Sequence, residues 1–266
     1  MRIHFCPNTL REDQLSVARD LIKALENDNI VCTLSENDSM AVFSDNSHTG
    51  SVEDCDIIAS LGGDGSVLRA AQVAIEYDKK LIGINAGRLG YLCAVDAKTI
   101  IEEGFDISNL ILSKRSLLKI TYEGSDYHAL NDIVLSKSNF GSTITVDISC
   151  NQMEDMRWRG DGIIISTPTG STSYSYAAGG PFVDPNLKAF IITPICPHLG
   201  SEKSIILSDD DVISLKPKDT YANIPSLYVD GNNIGNLETD VEIMKSEKQL
   251  SLLTSRKSLN YNKIRK

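Results

Sequence analysis

The N-terminal part of the chain alternates between two kinds of hydrophobic pattern. Short apolar runs predict buried strands, and the stretches between them repeat apolar positions every three to four residues, which is typical of amphipathic helices. This alternation predicts a parallel sheet with right-handed crossover connections. The predicted strands are residues 2–6, 30–34, 56–61 and 80–86, and the predicted helices are residues 10–26 and a helix that contains Val67, Leu68, Ala71, Ala74 and Ile75.

Beyond about residue 113 the pattern changes to short β-like runs separated by turn residues. Such runs are the signature of an antiparallel, mostly β domain. The predicted fold class is therefore a two-domain α+β or α/β protein, with a Rossmann-like parallel sheet in residues 1–112 and a β-rich domain in residues 113–250. The β-like runs are residues 117–124, 127–138, 142–150, 161–168, 204–217 and 224–233.

Residues 62–65 read Gly-Gly-Asp-Gly and stand between a predicted strand and a predicted helix. Glycine and Asp are ordinary turn residues, so a plain turn is one interpretation. Ligands of open α/β sheets, however, bind beyond the carboxyl ends of the strands, and backbone N–H groups at a helix start favour phosphate. The cluster is therefore a candidate phosphate site.

A second cluster, residues 157–185, contains another Gly-Asp-Gly at 160–162, a hydroxyl-rich turn and two tyrosines. Ser and Thr are common helix caps, so capping alone is an alternative explanation. Two such clusters in one chain favour a nucleotide, whose base, ribose and phosphates suit hydroxyls and backbone amides. The hydroxyl residues of the turn are Ser166, Thr167, Thr169, Ser171, Thr172 and Ser173.

The composition is that of a folded globular protein. Of 266 residues, 41% are hydrophobic and 23% are charged, which are ordinary values for globular domains. The formal net charge is -10 at pH 7, whereas binding to the nucleic-acid backbone requires a basic surface. Nucleic acid is therefore not expected as a partner, but a small phosphorylated ligand is compatible with this charge.

Cysteine, histidine and hydropathy patterns limit the other function classes. The six cysteines form no Cys-x-x-Cys pair, which predicts reduced thiols in a cytoplasmic protein. The four histidines fit no zinc-ligand spacing, so we expect no metal held by protein ligands alone. No signal peptide or apolar run of membrane-spanning length is found, and no membrane partner is expected.

Four motifs, taken in order, resemble the NAD kinase family of prokaryotes. They are GGDGS at 62–66, NAGRLGYL at 85–92, LND at 130–132 and RGDGIIISTPTGSTSYSYAAGGP at 159–181. The resemblance implies an α/β domain followed by a β-rich domain whose final segment, residues 251–266, returns to the first domain. It implies transfer of phosphate from ATP to the 2′-hydroxyl on the adenosine ribose of NAD, giving NADP. It also implies Mg²⁺ carried by the nucleotide and a homo-oligomer, dimer or tetramer.

The resemblance assigns roles residue by residue. Asp64 is the candidate general base, and Asp161 in the second Gly-Asp-Gly is the rival that we consider, with Arg159 expected as its charged partner. Gly62, Gly63, Gly65 and Ser66 are expected at the phosphates of the donor. The expected NAD-binding residues are Gly65, Leu68, Arg69, Arg88, Tyr91, Asn131, Asp132, Arg159, Asp161, Thr169, Thr172, Ser173, Tyr174, Ala177 and Asn232.

Within this set, Asn131 and Asp132 match a pair that holds ribose hydroxyls and adenine, and Arg159 and Asp161 match residues that are often supplied across a subunit interface. Three positions depart from the family pattern. Ser66 stands where Thr is commoner, and the hydroxyl is kept. Ala177 replaces a frequent Ser, so we expect no hydroxyl bond on the nicotinamide side, and Asn232 replaces a frequent Gln, which leaves that contact open.

Other kinases, a nucleotide sensor and a dehydrogenase are the alternatives to this interpretation. A diacylglycerol-type lipid kinase or a phosphofructokinase shares the Gly-Gly-Asp-Gly element, but neither predicts the hydroxyl-rich turn in a β-rich domain. A protein that senses NAD(P) without turnover would be expected to lack Asp64. A Rossmann dehydrogenase would require Gly-x-Gly-x-x-Gly after the first strand, and residues 7–13 read PNTLRED instead.

Overall fold

The structure is a computed structural model that describes residues 1–9, 12–87, 90–151, 153–198, 203–218 and 224–255. These residues form two compact units. Unit 1 comprises residues 1–114 together with 250–255, and unit 2 comprises residues 115–249.

The helices of the described residues are α1 (Glu12–Asn27), α2 (Glu36–Phe43), α3 (Asp64–Glu76), α4 (Ala97–Glu103) and α5 (Tyr174–Ala177), with 3₁₀ turns at Ile107–Asn109 and Gly170–Thr172. The strands are β1 (Arg2–Pro7), β2 (Val31–Leu34), β3 (Ile57–Gly62), β4 (Lys80–Asn85), β5 (Cys93–Asp96), β6 (Leu110–Tyr122), β7 (Ser125–Ala129), β8 (Asp132–Ser136), β9 (Ile144–Cys150), β10 (Met153–Gly160), β11 (Gly162–Ser166), β12 (Ala189–Ile195), β13 (Ile205–Ser208), β14 (Ile213–Lys218), β15 (Ser226–Val229), β16 (Asn232–Asn236) and β17 (Val241–Ser255). No helix among them is both long and apolar enough to span a membrane.

Unit 1 is built on a parallel sheet in the order β2-β1-β3-β4. β5 pairs with β4 in parallel, and so do residues Ser251–Leu253 of β17, so the last strand of the chain completes this sheet. All six residues of β3 are buried, as expected for a strand whose two faces are both covered. α1 packs its apolar face, including Leu21, Ile22 and Leu25, into the same core.

Unit 2 is antiparallel. One of its sheets has the order β13-β12-β11-β8-β15-β16, and β10, β9, β14 and the first residues of β17 pair antiparallel in another. β9 alternates buried and half-buried residues, the period-two pattern of a strand with one face on a core. Trp158 and Phe190 are the largest residues of this core. The predicted fold class, an α/β domain plus a mostly β domain, is confirmed.

The predicted strands of unit 1 agree with the structure within one or two residues at each end, whereas some runs of unit 2 are divided. The run predicted over 224–233 contains two strands joined by Asp230 and Gly231, both with positive φ, 48° and 82°. Asp-Gly is a preferred pair for a two-residue hairpin turn, because both positions require positive φ. The run over 127–138 divides into β7 and β8, with Leu130 and Asn131 between them.

Candidate active site

The first glycine cluster forms the junction between β3 and α3. Gly62 has a φ of +143°, and a Cβ there would collide with Ser66 Oγ. A Cβ at Gly63 or Gly65 would meet nothing within 4 Å. Gly63 is the N-cap of α3, and no side-chain cap bond is found there. The start of this helix therefore offers bare backbone, to which an anion can come close.

A cavity of about 560 Å³ lies beside this junction, lined by Asp13, Gln14, Gly62, Gly63, Asn85, Ala86 and Gly87. Gln14 Oε1 and Asn85 Oδ1 are buried without a hydrogen-bond partner among the described residues. The amide nitrogen of Asn85 donates to the Gly87 carbonyl at 2.9 Å and to the Asp96 carboxylate, which fixes the side chain. Because buried polar atoms are nearly always satisfied, the two oxygens mark places for ligand groups, an ion or water.

Asp64 lies in the first turn of α3, and its carboxylate is anchored to the loop after β4. Oδ2 accepts from the Tyr91 N–H and Oδ1 from the Leu92 N–H, each at 2.8 Å. A Cβ at Gly90 would collide with Oδ1, so glycine permits this close approach. An ionised carboxylate has about four lone-pair sites, so both oxygens keep a position for a further hydrogen bond.

The other predicted residues of α3 differ in their surroundings. Ser66 is buried, and its Oγ accepts from Arg69 Nη2 at 3.2 Å. The Ser66 hydroxyl therefore accepts a hydrogen bond within the helix and lies where a Cβ at Gly62 would stand. Arg69 is exposed and Leu68 is half-buried. Arg88, which was predicted to lie beside the dinucleotide, is outside the described residues.

In unit 2, the Asn131–Asp132 pair packs against the hydroxyl-rich turn. Thr167 N–H donates to the Asn131 carbonyl at 2.9 Å, and Thr167 Oγ1 donates to the Leu130 carbonyl at 2.6 Å. A Cβ at Gly170 would collide with the Asn131 carbonyl. The turn that was predicted to surround adenine and ribose is thus in direct contact with the pair that was predicted to bind the same groups.

The pKa of Asp132 departs strongly from that of an ordinary aspartate. Only 5% of the residue is exposed. Burial, with a smaller contribution from the negative charge of Asp230, raises the pKa of Asp132 to about 7. Neither Asn131 nor Asp132 makes a side-chain hydrogen bond to the residues described here. Both side chains are therefore available to a ligand.

The hydroxyls of the loop divide into two groups. Ser171 donates to the Pro168 carbonyl at 2.8 Å, and Ser175 bonds Thr193 Oγ1 at 2.9 Å, so both are structural. Thr172 Oγ1 donates to the Thr169 carbonyl at 3.2 Å. Ser173 and Tyr174 are exposed, whereas Thr169 is buried. Ala177, which has no hydroxyl, is exposed as well.

Tyr174 lies close to the acidic groups of this region. Partial burial raises the pKa of the Tyr174 phenol, and the acidic groups of Cys196, Asp132 and Asp161 raise it further. Tyr174 is therefore a neutral hydrogen-bonding group at physiological pH. Its exposed position leaves the ring available to a ligand.

The predicted pairing of Asp161 with Arg159 is wrong. Asp161 Oδ1 instead forms an ion pair with Lys137 Nζ at 2.7 Å, and Arg159 Nε donates to Thr143 Oγ1 at 3.0 Å. The register explains this difference. β11 pairs with β8, which brings Lys137 next to Asp161. Arg159 belongs to β10, whose partner is β9.

Two family models match this chain. The ATP-NAD kinase N-terminal domain matches residues 10–107 and the ATP-NAD kinase C-terminal domain matches residues 130–255. An NAD kinase of Natranaerobius thermophilus is 32% identical over 96% of this chain and 93% of its own length. An NAD kinase of Chloroherpeton thalassium is 30% identical over 100% of this chain and 96% of its own.

The chain belongs to the ATP-NAD kinase family. The resemblance that the four motifs indicated is confirmed, and both domain matches argue against the lipid-kinase and sugar-kinase alternatives. Solved structures share the fold. Yeast NADH kinase complexed with NADH has a TM-score of 0.81 at 22% identity, covering 99% of this chain and 86% of its own. An NAD kinase from Archaeoglobus fulgidus in complex with ATP has a TM-score of 0.77 at 24% identity, covering 100% and 99%.

Within this ATP-NAD kinase chain, the structure brings the predicted residues together in two groups. Gly62, Gly63, Asp64 and Gly65 adjoin the loop of Tyr91 in unit 1. Asn131, Asp132 and the loop from Thr169 to Ala177 lie together in unit 2. Asn232 begins β16 and is exposed, immediately after the Asp230–Gly231 turn.

Several residues of the site were missed by sequence reasoning. Gln14 and Asn85 line the cavity, and Gly90 allows the Asp64 carboxylate to approach closely. Lys137 forms an ion pair with Asp161, and Asp230 raises the pKa of Asp132. Asn85 and Gly90 belong to the second motif, so their positions were marked. The other three are distant in sequence from the residues that they contact, and no local pattern signals them.

Proposed function

We propose that this chain transfers the γ-phosphoryl group of ATP to the 2′-hydroxyl on the adenosine ribose of NAD, producing NADP and ADP. Membership of the ATP-NAD kinase family over both units supports this activity. The single structural observation that carries the proposal is Asp64, an anchored carboxylate at an uncapped helix start beside a cavity of about 560 Å³. The bound ATP and NADH of the two related structures support the choice of substrates.

On the donor side, Gly62, Gly63 and Gly65 let phosphates approach the backbone at the start of α3. Phosphoryl transfer is chiefly a matter of positioning and charge stabilisation, and a helix N-terminus supplies both N–H donors and a favourable dipole. The Ser66 hydroxyl already bonds Arg69. It accepts that bond, so its O–H can still donate to a phosphate oxygen of the donor.

Asp64 acts as the general base. An oxygen of its carboxylate accepts the proton of the 2′-hydroxyl while the hydroxyl oxygen forms a bond to the γ-phosphorus. The bond from this phosphorus to the bridging oxygen breaks, and ADP leaves with the electron pair. The hydrogen bonds from Tyr91 and Leu92 hold the carboxylate in one orientation during this step. A positioned base of this kind contributes about 10²–10⁴ in rate.

On the acceptor side, Asp132 and Asn131 receive the ribose hydroxyls and the adenine, with Thr169, Thr172, Ser173 and Tyr174 around them. Asp132 must be ionised to accept from two hydroxyls, and its raised pKa makes this property sensitive to pH near neutrality. The remaining proposed contacts of the dinucleotide are Gly65, Leu68, Arg69, Arg88, Tyr91, Arg159, Asp161, Ala177 and Asn232.

Mg²⁺ is the proposed metal, and it arrives with ATP. Among the described residues, no group of three or more His, Cys, Asp or Glu side chains is placed to hold a metal. The cavity nevertheless offers the unpartnered oxygens of Gln14 and Asn85 and the side chain of Asp13. Oxygen ligands of this type suit Mg²⁺, which usually keeps several waters and phosphate ligands. When bound, the ion neutralises charge on the phosphates of the donor.

We further propose a homo-oligomer, dimer or tetramer, in the cytoplasm. The proposal rests on the family resemblance of Arg159 and Asp161 to residues supplied across a subunit interface. In the single chain Arg159 is exposed and Asp161 is half-buried. The free thiols of the described cysteines agree with a reducing compartment.

One assay tests the proposed activity. The purified protein is incubated with NAD or NADH, Mg²⁺ and either ATP or inorganic polyphosphate, and NADP(H) is measured. We expect NADP in the reaction with NAD and ATP. The other three combinations show whether polyphosphate can replace ATP as the donor and whether NADH is accepted in place of NAD. Absence of NADP(H) in every combination, from protein with native circular dichroism, would overturn the assignment.

A further inference from the structure

The segment Leu130–Asp132 is held by the carboxylate of a residue about a hundred positions away. Asp230 Oδ2 accepts from the Leu130 N–H at 2.8 Å. Its Oδ1 accepts from the Asn131 N–H at 2.7 Å and from the Asp132 N–H at 3.1 Å. Three consecutive N–H groups thus converge on one carboxylate. Hydrogen bonds to a charged acceptor are about twice as strong as those between neutral groups.

The carbonyls of the same segment are satisfied from the other side. Thr167 donates to two of them. Its Oγ1 donates to the Leu130 carbonyl at 2.6 Å and its N–H donates to the Asn131 carbonyl at 2.9 Å. The Asp230 N–H donates to the Asp132 carbonyl at 2.9 Å. All six backbone polar groups of Leu130–Asp132 are therefore bonded by Asp230 and Thr167. The side chains of Asn131 and Asp132 are not needed to satisfy this backbone.

We propose that Asp230 is a positioning residue of the kinase, which presets the Asn131–Asp132 pair for the ribose and adenine of NAD by holding its backbone through three N–H groups. The inference rests on the proposed function, because it assumes that the pair binds NAD. Asp230 itself touches neither substrate in this account. Preorganisation of this kind improves affinity by removing the cost of ordering the binding residues.

Turn formation alone does not explain an aspartate at this position. Asp230 and Gly231 form a two-residue turn with positive φ at both residues, and Asn-Gly serves such turns as well as Asp-Gly. The β6–β7 hairpin contains a similar turn, Glu123–Gly124, with φ values of 49° and 78°. Glu123 is exposed there. The turn itself therefore does not require the carboxylate of Asp230. Asn at this position keeps the turn and removes the charge, so it separates turn formation from the holding of Leu130–Asp132.

The charge of Asp230 has a second, measurable effect. Burial and then Asp230 raise the pKa of Asp132 to about 7. The Tyr174 phenol also lies near Asp132, and it stays neutral in this range because burial and the neighbouring acidic groups, Asp132 among them, raise its own pKa. Ionised Asp132 accepts hydrogen bonds from ribose hydroxyls, and protonated Asp132 accepts fewer, so NAD affinity is lost as pH falls through the pKa. Removing the charge of Asp230 lowers that pKa and moves the loss to lower pH.

The experiment compares Asp230→Asn with Glu123→Gln, a matched loss of charge in the similar turn of the β6–β7 hairpin. NAD affinity is measured by calorimetry across the titration of Asp132, and the KM for NAD, the KM for ATP and kcat are measured in parallel. For Asp230→Asn at high pH, we expect NAD to bind about tenfold more weakly, corresponding to about 1.4 kcal/mol, with the KM for ATP unchanged. We expect its pH midpoint to be lower than that of the wild type, and Glu123→Gln to match the wild type.

Unchanged NAD affinity together with an unchanged midpoint would overturn the inference. If Asp230→Asn does not fold, Thr167→Val, which removes a hydroxyl of the same arrangement, is compared with Thr167→Ser, which keeps it. Only Thr167→Val is then expected to weaken NAD binding, and equal affinities for the two variants would overturn the inference. A third variant, Asp132→Ala, separates this result from failure of the proposed function. If Asp132→Ala binds NAD normally, the pair is not part of the site, whereas loss in Asp132→Ala alone removes only the role of Asp230.

Discussion

At the scale of single residues, Asp64 combines a proposed chemical role with a structural one. We expect Asp64→Asn to lower kcat by about 10²–10⁴, because an amide cannot take the proton of the 2′-hydroxyl. The structure also predicts a loss of folding stability for this variant. Tyr91 and Leu92 each donate to one carboxylate oxygen, so the amide NH₂ of Asn must face one of these N–H groups. A loss of stability of about 1–3 kcal/mol should accompany the loss of rate.

Steady-state kinetics, NAD calorimetry and urea denaturation measure these effects on one preparation. Asp161→Asn is the comparison, because Asp161 occupies the second Gly-Asp-Gly and pairs with Lys137. That variant is expected to weaken NAD binding more than it slows the chemical step. A wild-type kcat in Asp64→Asn would remove Asp64 from the role of base and leave the family assignment intact.

Residue-level predictions from the sequence succeeded where the relevant contacts are local. The position of Asp64 between a buried strand and a helix follows from the hydrophobic pattern of some twenty neighbouring residues. The partner of Asp161 could not be predicted, because Lys137 reaches it through the pairing of β8 with β11. The contacts of Asp230 with Leu130–Asp132 likewise depend on the antiparallel pairing of β15 with β8. Such contacts are set by sheet register, which no short motif records.

At the scale of secondary-structure elements, the β3–α3 junction contains two glycines with different requirements. Gly62 has a φ of +143°, and a Cβ would collide with Ser66. Gly63 has a φ of -109° and an open space where a Cβ would stand. We therefore expect Gly62→Ala to destabilise the fold by more than about 1 kcal/mol, since strain and steric overlap add. Gly63→Ala should leave stability within about 0.5 kcal/mol, as surface substitutions usually do.

The same pair of variants tests the donor site. In Gly63→Ala the added methyl group occupies the surface at which phosphates are proposed to approach, so the KM for ATP should rise several-fold while thermal stability is retained. Thermal denaturation and initial rates at varied ATP measure the two quantities. An unchanged KM for ATP in a stable Gly63→Ala protein would contradict the placement of the phosphates at this helix start.

Element prediction succeeded for long periodic segments and missed short ones. β1, β3, β4 and α1 agree with the strands and helix expected from their periodicity. Helices α2 and α4 and strand β5 were not predicted, because four to eight residues are too few to establish a period. In unit 2, hairpin turns such as Asp230–Gly231 lie inside continuous β-like runs and were not predicted, since Asp and Gly also occur in longer loops.

At the scale of the whole molecule, the two units differ in how far sequence alone could describe them. Alternating strands and helices predict a parallel sheet for unit 1, but the pattern does not indicate that residues 251–253 of β17 join it beside β4. Only the family resemblance implied a returning segment, and residues 256–266 of that segment are outside the described part of the chain. A strand contributed from the far end of a chain leaves no local signal, because its partner is defined by tertiary packing.

The proposed oligomer makes a prediction that single-subunit variants cannot test. If Arg159 is supplied to a site whose Asp64 belongs to another subunit, Asp64→Asn and Arg159→Ala damage opposite sides of each interface-spanning site. Subunits of the two variants, mixed after reversible dissociation, should then recover up to about a quarter of wild-type activity, because random pairing in a symmetric dimer restores one intact site in each mixed pair. Light scattering should show a dimer or tetramer at assay concentration. A fully active monomer, or mixtures that stay as inactive as their parents, would contradict shared sites.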